Sequence, residues 1–227
     1  MQDYPKLLFE AQKQLEVNSK CLVVTFPRFM AWSPVKNDYQ RAAILREKTG
    51  YEESPRSGEA DILNFFKEQL LSVNECPICN PENKQRIVIE EGAYVCLWPE
   101  AGVSTEELHH HIGEGVVIKK GSVVVIRCRN WYLNNVMIDG CLVMGGEEIS
   151  ESDGYYGSIT LSDVTIKNKG WKYEEIDKTD TSINIIYRMR GYVVKREESC
   201  IFNLKSKGNY VVEHTTYAGN CSVDLDR

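Results

Sequence analysis

The rhythm of apolar positions along the chain changes near residue 76. In PKLLFEAQKQL, Leu7, Leu8, Ala11 and Leu15 recur at spacings of three, four and seven, which predicts a helix with one apolar face. The short run CLVVTF, at 21–26, reads as a buried strand. Beyond the break at SPVKN, the charged and alanine-rich DYQRAAILREKTG predicts a helix that stops at Gly50. SGEADILNFFKEQLLSVNE carries the strongest helical pattern. There Ser57 is the expected cap, Glu59 and Asp61 suit the positive end of the dipole, and Ile62, Phe65, Phe66 and Leu70 form the stripe to be buried.

From Arg86 onward the pattern is one of short β-branched runs cut by Gly, Asn and Asp: IVIEEG, GVVIKKG, SVVVIRC, NVMIDG, CLVMGG, VTIKNKG, INIIY, YVVK, CIFNL and YVVEH. Such spacing predicts an all-β module. One internal echo narrows the choice between a sandwich and a solenoid. LNNVMIDG at 133–140 and LSDVTIKN at 161–168 match in Leu, Asn/Asp, Val, Ile and a Gly/Asn turn, at an offset of 28 residues. A strand and turn repeated at fixed period favour a coiled, β-helix-like structure in which each rung stacks on the last. SESDGYYGS, at 150–158, is expected to be an excursion loop between two rungs. The predicted class is therefore α+β, with a helical part over 1–82 and a β-helix-like part over 83–227.

Composition fits this picture. The 227 residues are 42% hydrophobic and 26% charged, as in ordinary globular proteins. A net charge of −6 argues against a broad nucleic-acid surface, though a few lysines suffice for a small anion pocket. No apolar run is long enough for a membrane span, and residues 1–25 do not read as a secretory leader. The eight cysteines, several inside apolar runs, are then expected to be reduced and structural, as in a cytoplasmic protein.

Four stretches could carry chemistry. In AWSPVKN, Lys36 stands just ahead of a predicted helix start, where an ammonium and backbone N–H groups together suit a phosphate. The bland alternative is a solvated lysine. The pair Cys76 and Cys79 in CPIC would need further thiols or histidines to bind zinc, and none follows at the usual spacing, so structural thiols are the expectation. His109, His110 and His111 point different ways on any regular element and are expected to be loop residues that do not converge on one ion. His214 lies on a predicted strand without a nearby partner in sequence. No Ser-His-Asp grouping and no glycine-rich phosphate loop stands in the sequence.

MQDYPKLL, CLVVTFPRFMAW, SPVKND and SGEAD occur in the order seen in UDP-sugar pyrophosphorylases, uridylyltransferases related to UDP-glucose and UDP-N-acetylhexosamine pyrophosphorylases, and the chain resembles them. KKGSVVVIRCRNWYLNNVMIDGCLVM and SITLSDVTIKNKGW are similar to the C-terminal β-helix of that superfamily. The resemblance implies that residues 1–82 are the last portion of an α/β nucleotidyltransferase domain, that MQDYPK is an internal stretch, and that the nucleotide cradle lies upstream, as would any organellar leader. It implies UTP and a sugar 1-phosphate as substrates, Mg²⁺ as cofactor, and a phosphate-contacting, catalytic role for Lys36. Asp3 would be structural support at most. The chain alone is expected to be inactive and, with its first half short of partners, to self-associate. A non-catalytic β-helix module for oligomerisation or partner binding is the alternative.

Overall fold

In the computed structural model, which describes residues 4–15, 24–102, 104–146 and 157–226, the apolar runs after residue 86 pair into two five-stranded parallel sheets. Strands β1 (Ile87–Ile89), β3 (Val116–Ile118), β5 (Asn130–Asp139), β7 (Ser158–Lys167) and β11 (Asn209–Ala218) follow one another across the first sheet. The second is built in the same direction from β2 (Tyr94–Leu97), β4 (Val123–Ile126), β6 (Cys141–Met144), β10 (Cys200–Leu204) and β12 (Cys221–Leu225). Between β1 and β7 the chain therefore alternates sheets at every strand, and it does so again from β10 to β12.

The sequence echo is the register of this pairing. Leu133, Val136 and Ile138 of β5 lie opposite Leu161, Val164 and Ile166 of β7, and these lie opposite Val212, Thr215 and Tyr217 of β11. Each of the three strands bends once, at Asn135, Asp163 and His214, where φ is 50°, 54° and 49°. Asn, Asp and His are the side chains that best tolerate this left-handed region, which explains the Asn/Asp position of the echo. Turns between sheets impose a similar demand. Gly140, between β5 and β6, has φ 131°, and a Cβ there would lie 2.4 Å from the Asn168 carbonyl oxygen.

The main core lies between the sheets and includes Ile126, Leu133, Ile138, Leu142, Ile159, Leu161 and Phe202. β4 and β6 are buried on both faces, which is why VVVI and CLVM read as unbroken apolar runs. Their outer residues Val123, Val125, Cys141 and Val143 are covered partly by Trp171 and Tyr173. Those two belong to an arm between β7 and β10, a hairpin of β8 (Trp171–Glu175) and β9 (Tyr192–Arg196) that also carries a short helix, α6 (Ile185–Arg190). INIIY was expected to be a strand. Instead Asn184 caps α6 by accepting from the Ile186 N–H at 3.0 Å, and Gly191 closes it with φ 87°. Of the loop expected at 150–158, residues 150–156 lie outside the described residues, and Ser158 already starts β7.

The helical part contains α1 (Tyr4–Leu15), α2 (Arg28–Ala31), α3 (Tyr39–Thr49) and α4 (Pro55–Leu71), the last running into a 3₁₀ turn over Ser72–Glu75. α3 ends at Gly50 as its sequence predicts. α4 starts earlier than expected, because Pro55 is preset for a first helical position and Ser54 is the cap; Ser57 is its capping-box partner. Only part of the predicted stripe is buried, since Leu70 and Phe66 meet the core whereas Ile62 is 51% exposed. The predicted strand CLVVTF does not form where it is described. Residues 21–23 lie outside the described residues, and residues 24–26 are irregular and exposed. A strand needs a hydrogen-bonded neighbour, and every described strand lies after residue 86. α1 forms as predicted, but Leu7 and Leu15 of its apolar face are exposed.

Candidate functional site

SPVKN runs without regular secondary structure from α2 to α3, beside the segment ahead of α4. The N–H groups of Lys36 and Asn37 both donate to the Glu53 carbonyl at 3.0 Å, and Asn37 Nδ2 donates to the Glu52 carbonyl at 3.0 Å. Val35 packs so closely on α4 that a Cβ at Gly58 would lie 2.5 Å from its Cγ2, so the glycine of SGEAD lets the two motifs touch. Ser33 Oγ donates to Asp61 Oδ2 at 2.6 Å, and Tyr51 donates its hydroxyl proton to the same oxygen. The Arg28 guanidinium lies 3.5 Å above the Tyr51 ring.

Glu53 is the hub of this cluster. Its side chain meets Arg28 at 3.4 Å and Lys36 Nζ at 3.0 Å, and its backbone sits at φ 48°, a conformation an ordinary residue adopts only when surroundings hold it there. Lys36 is 61% exposed, so its ammonium faces solvent on the side away from Glu53. The helix start behind it is not open to an anion as the sequence suggested. Asp38 already caps α3, accepting from the Arg41 N–H at 2.9 Å. What remains for a phosphate is the ammonium itself, in exchange for part of its contact with Glu53.

Glu59 and Asp61 do not serve the helix dipole either. Glu59 accepts from Arg190 Nε at 2.8 Å, from Arg190 Nη2, and from the Tyr192 hydroxyl. Burial alone would raise its carboxyl, but these bonds outweigh burial and hold it below the ordinary carboxylate range. Burial and the bond to Glu59 push the Tyr192 hydroxyl up to about 12. This clasp ties α4 to the arm.

The three histidines diverge, as expected, but they are not loop residues: His109 and His110 belong to α5 (Thr105–His110), and His111 caps its end. His111 stacks on Trp131 with ring centroids 4.7 Å apart, and its Nδ1 lies 2.6 Å from the Trp131 carbonyl. His109 turns the other way, to within 3.4 Å of Cys79 Sγ through Nδ1, and CPIC thereby gains the partner that its own sequence neighbourhood lacks. Burial, with Arg86 and His110 nearby, lowers the His109 pKa. Burial raises that of Cys79, while the bond to Cys79 lowers that of Cys76. His214 also finds a partner, Asp163 at 3.4 Å, on the neighbouring strand β7. Asp3 and Cys21 lie outside the described residues; the other seven cysteines are free thiols.

The carboxylates around Lys36 do not fit Mg²⁺. This hard ion takes oxygen ligands in a near-octahedral shell. The carboxylates around Lys36 are already engaged: Glu53 by Arg28 and Lys36, Glu52 by Arg46 and Ser54, and Asp61 by Ser33 and Tyr51. Among the described residues, no helix is long and apolar enough to cross a membrane.

No protein-family model matches the chain. It is similar to a UDP-sugar pyrophosphorylase of Arabidopsis thaliana, 25% identical over 219 residues, which cover 94% of this chain and 32% of that protein. UDP-sugar pyrophosphorylases of Oryza sativa subsp. indica and subsp. japonica are 24% and 23% identical over 209 residues, 89% of this chain and 30% of each relative. These matches bear out the resemblance read from the motifs, and the chain spans about a third of the length of the curated relatives it matches.

Proposed function

We propose that the chain is the C-terminal part of a uridylyltransferase that forms a UDP-sugar and pyrophosphate from UTP and a sugar 1-phosphate such as glucose 1-phosphate. The observation that carries this reading is the similarity to UDP-sugar pyrophosphorylases along about nine-tenths of the chain. In the reaction, a phosphate oxygen of the sugar 1-phosphate attacks the α-phosphorus of UTP in line, and pyrophosphate leaves. Such transfers rest on positioning and on neutralising the crowded negative charge. Lys36 is the group of this chain assigned to that task. Glu53 keeps its ammonium in place at 3.0 Å until a phosphate competes for it. On this reading residues 1–82 complete the catalytic domain, residues 83–227 are a β-helix whose rungs are the alternating strands, and the nucleotide cradle and Mg²⁺ ligands belong to the rest of the enzyme.

The test is a hybrid. Purified alone, the chain is expected to release no pyrophosphate from UTP and glucose 1-phosphate. Fused behind the remaining two-thirds of the Arabidopsis relative, it is expected to support turnover, and Lys36→Ala to lower kcat/KM about 10²-fold, as loss of one charge-stabilising contact does. Turnover by the isolated chain, or a hybrid indifferent to Lys36, would overturn the proposal. One feature favours the alternative of a self-association module: β11 ends its sheet with ten residues, presenting a long outer edge to a second copy. That reading predicts a dimer and no turnover in any hybrid.

A further inference from the structure

Cys76, Cys79 and His109 bring three ligand atoms within 4.8 Å of one another, at the joint where the helical part hands over to the strands. We infer that they hold a zinc ion, with solvent or a small exogenous ligand at the fourth corner. This inference does not rest on the uridylyltransferase reading.

The spacing suits the ion. With Zn–S near 2.3 Å and Zn–N near 2.0–2.1 Å, tetrahedral angles put sulfur and nitrogen about 3.6 Å apart and two sulfurs about 3.8 Å apart. Cys79 Sγ and His109 Nδ1 are 3.4 Å apart, and Cys76 Sγ lies within 4.8 Å of both. The Cys79 N–H donates to Cys76 Sγ at 3.4 Å, a bond that steadies a thiolate at the first position of a C-x-x-C turn.

The histidine is already in the ligating tautomer. Ser72 Oγ donates to the Gln69 carbonyl at 2.7 Å, so toward His109 Nε2, 2.8 Å away, it can only accept. The ring proton therefore lies on Nε2, and Nδ1 turns its lone pair toward the two sulfurs. A ligating histidine whose other nitrogen is held in this way is the usual outer-shell arrangement of a metal site.

The turn is also rigidly mounted. Asn80, 6% exposed, donates to the carbonyls of Asn74 and Lys84 at 2.7 Å each and accepts from the Lys84 N–H at 3.1 Å. Arg86 donates to the Cys79 carbonyl at 2.8 Å and, through its other nitrogens, to the carbonyls of Gly113 and Ile112 beyond α5. Two thiolates and an imidazole form a soft donor set that selects zinc over magnesium or calcium, and two thiolates cancel its charge. The ion would clip the end of α4, the CPIC turn and α5 into one unit.

The test uses the reduced, chelator-stripped 227-residue chain titrated with Co²⁺. The expected result is one equivalent bound, with thiolate-to-cobalt charge-transfer absorption and the intense d–d bands of tetrahedral Co²⁺, displaced by zinc. Cys76→Ser and His109→Asn should weaken binding more than tenfold, Ser72→Ala about tenfold, and Cys96→Ser not at all. A featureless wild-type spectrum overturns the inference without recourse to any variant. So does equal binding by Cys76→Ser, or a Cys76–Cys79 disulfide that re-forms in the presence of zinc.

Discussion

Replacing Glu59 by Gln keeps the shape of the clasp and removes its charge. The side chains of Glu59 and Arg190 are only 26% and 29% exposed, so solvent screens the pair incompletely. Hydrogen bonds to charged groups contribute about 1.5–3 kcal/mol each, and the variant keeps weaker, neutral versions while leaving the Arg190 charge without its counterion. A net loss of about 2–3 kcal/mol at pH 7 is expected. The pH dependence has a definite sign. Glu59 titrates below its ordinary value in the folded chain, so its contribution is complete above the unfolded pKa of about 4.3 and is lost as pH falls through the folded value. Urea unfolding followed by tryptophan fluorescence, for wild type and Glu59→Gln across this range, measures the gap directly. It should be full at neutral pH and should close in acid, where the wild-type carboxyl is itself protonated. A gap that stays constant with pH would show that the carboxylate charge is not what holds α4 to the arm.

Two further outcomes follow from the packing. Gly140→Ala places a methyl group 2.2 Å from Asn168 Oδ1 and 2.4 Å from its carbonyl oxygen, on a backbone at φ 131°; a loss of about 3 kcal/mol or more is expected, read as a drop in denaturation midpoint. Leu7, Phe9, Val24 and Phe26 are each more than 60% exposed, so the chain alone should self-associate in sedimentation velocity, and Leu7→Glu with Phe9→Glu should shift it toward monomer. Unchanged sedimentation of that double variant would place the contact elsewhere.

Much of the strand unit was legible because its contacts repeat. Leu133 and Leu161 are alike since they are register partners on neighbouring strands, and the Asn or Asp two residues after each marks the one backbone bend that few side chains tolerate. The helices were legible where local rules act, as at Asp38 and Gly50. The irregular course of residues 24–26, the described half of CLVVTF, was not, because an apolar run says nothing about whether a neighbour exists to pair with it. INIIY failed for a related reason: β-branched residues predict a strand until a cap and a stop at either end outweigh them. Site partners are harder still. Ser33 meets Asp61 across 28 residues, Cys79 meets His109 across 30, and Glu59 meets Arg190 across 131, and no local periodicity encodes such distances.

The arm between β7 and β10 departs and returns at one place: the N–H groups of Glu197 and Glu198 both close on the Gly170 carbonyl, at 3.1 and 3.2 Å, and the Lys169 N–H donates to the Glu198 carboxylate at 2.9 Å. The ladder therefore does not register how long the detour is. A lineage could lengthen, trim or swap the tip of this segment beyond Tyr173 while Trp171 and Tyr173 still cover the outer faces of β4 and β6, and because Arg190 and Tyr192 ride on it, each such change would reset how firmly the helices are moored without touching either five-stranded sheet.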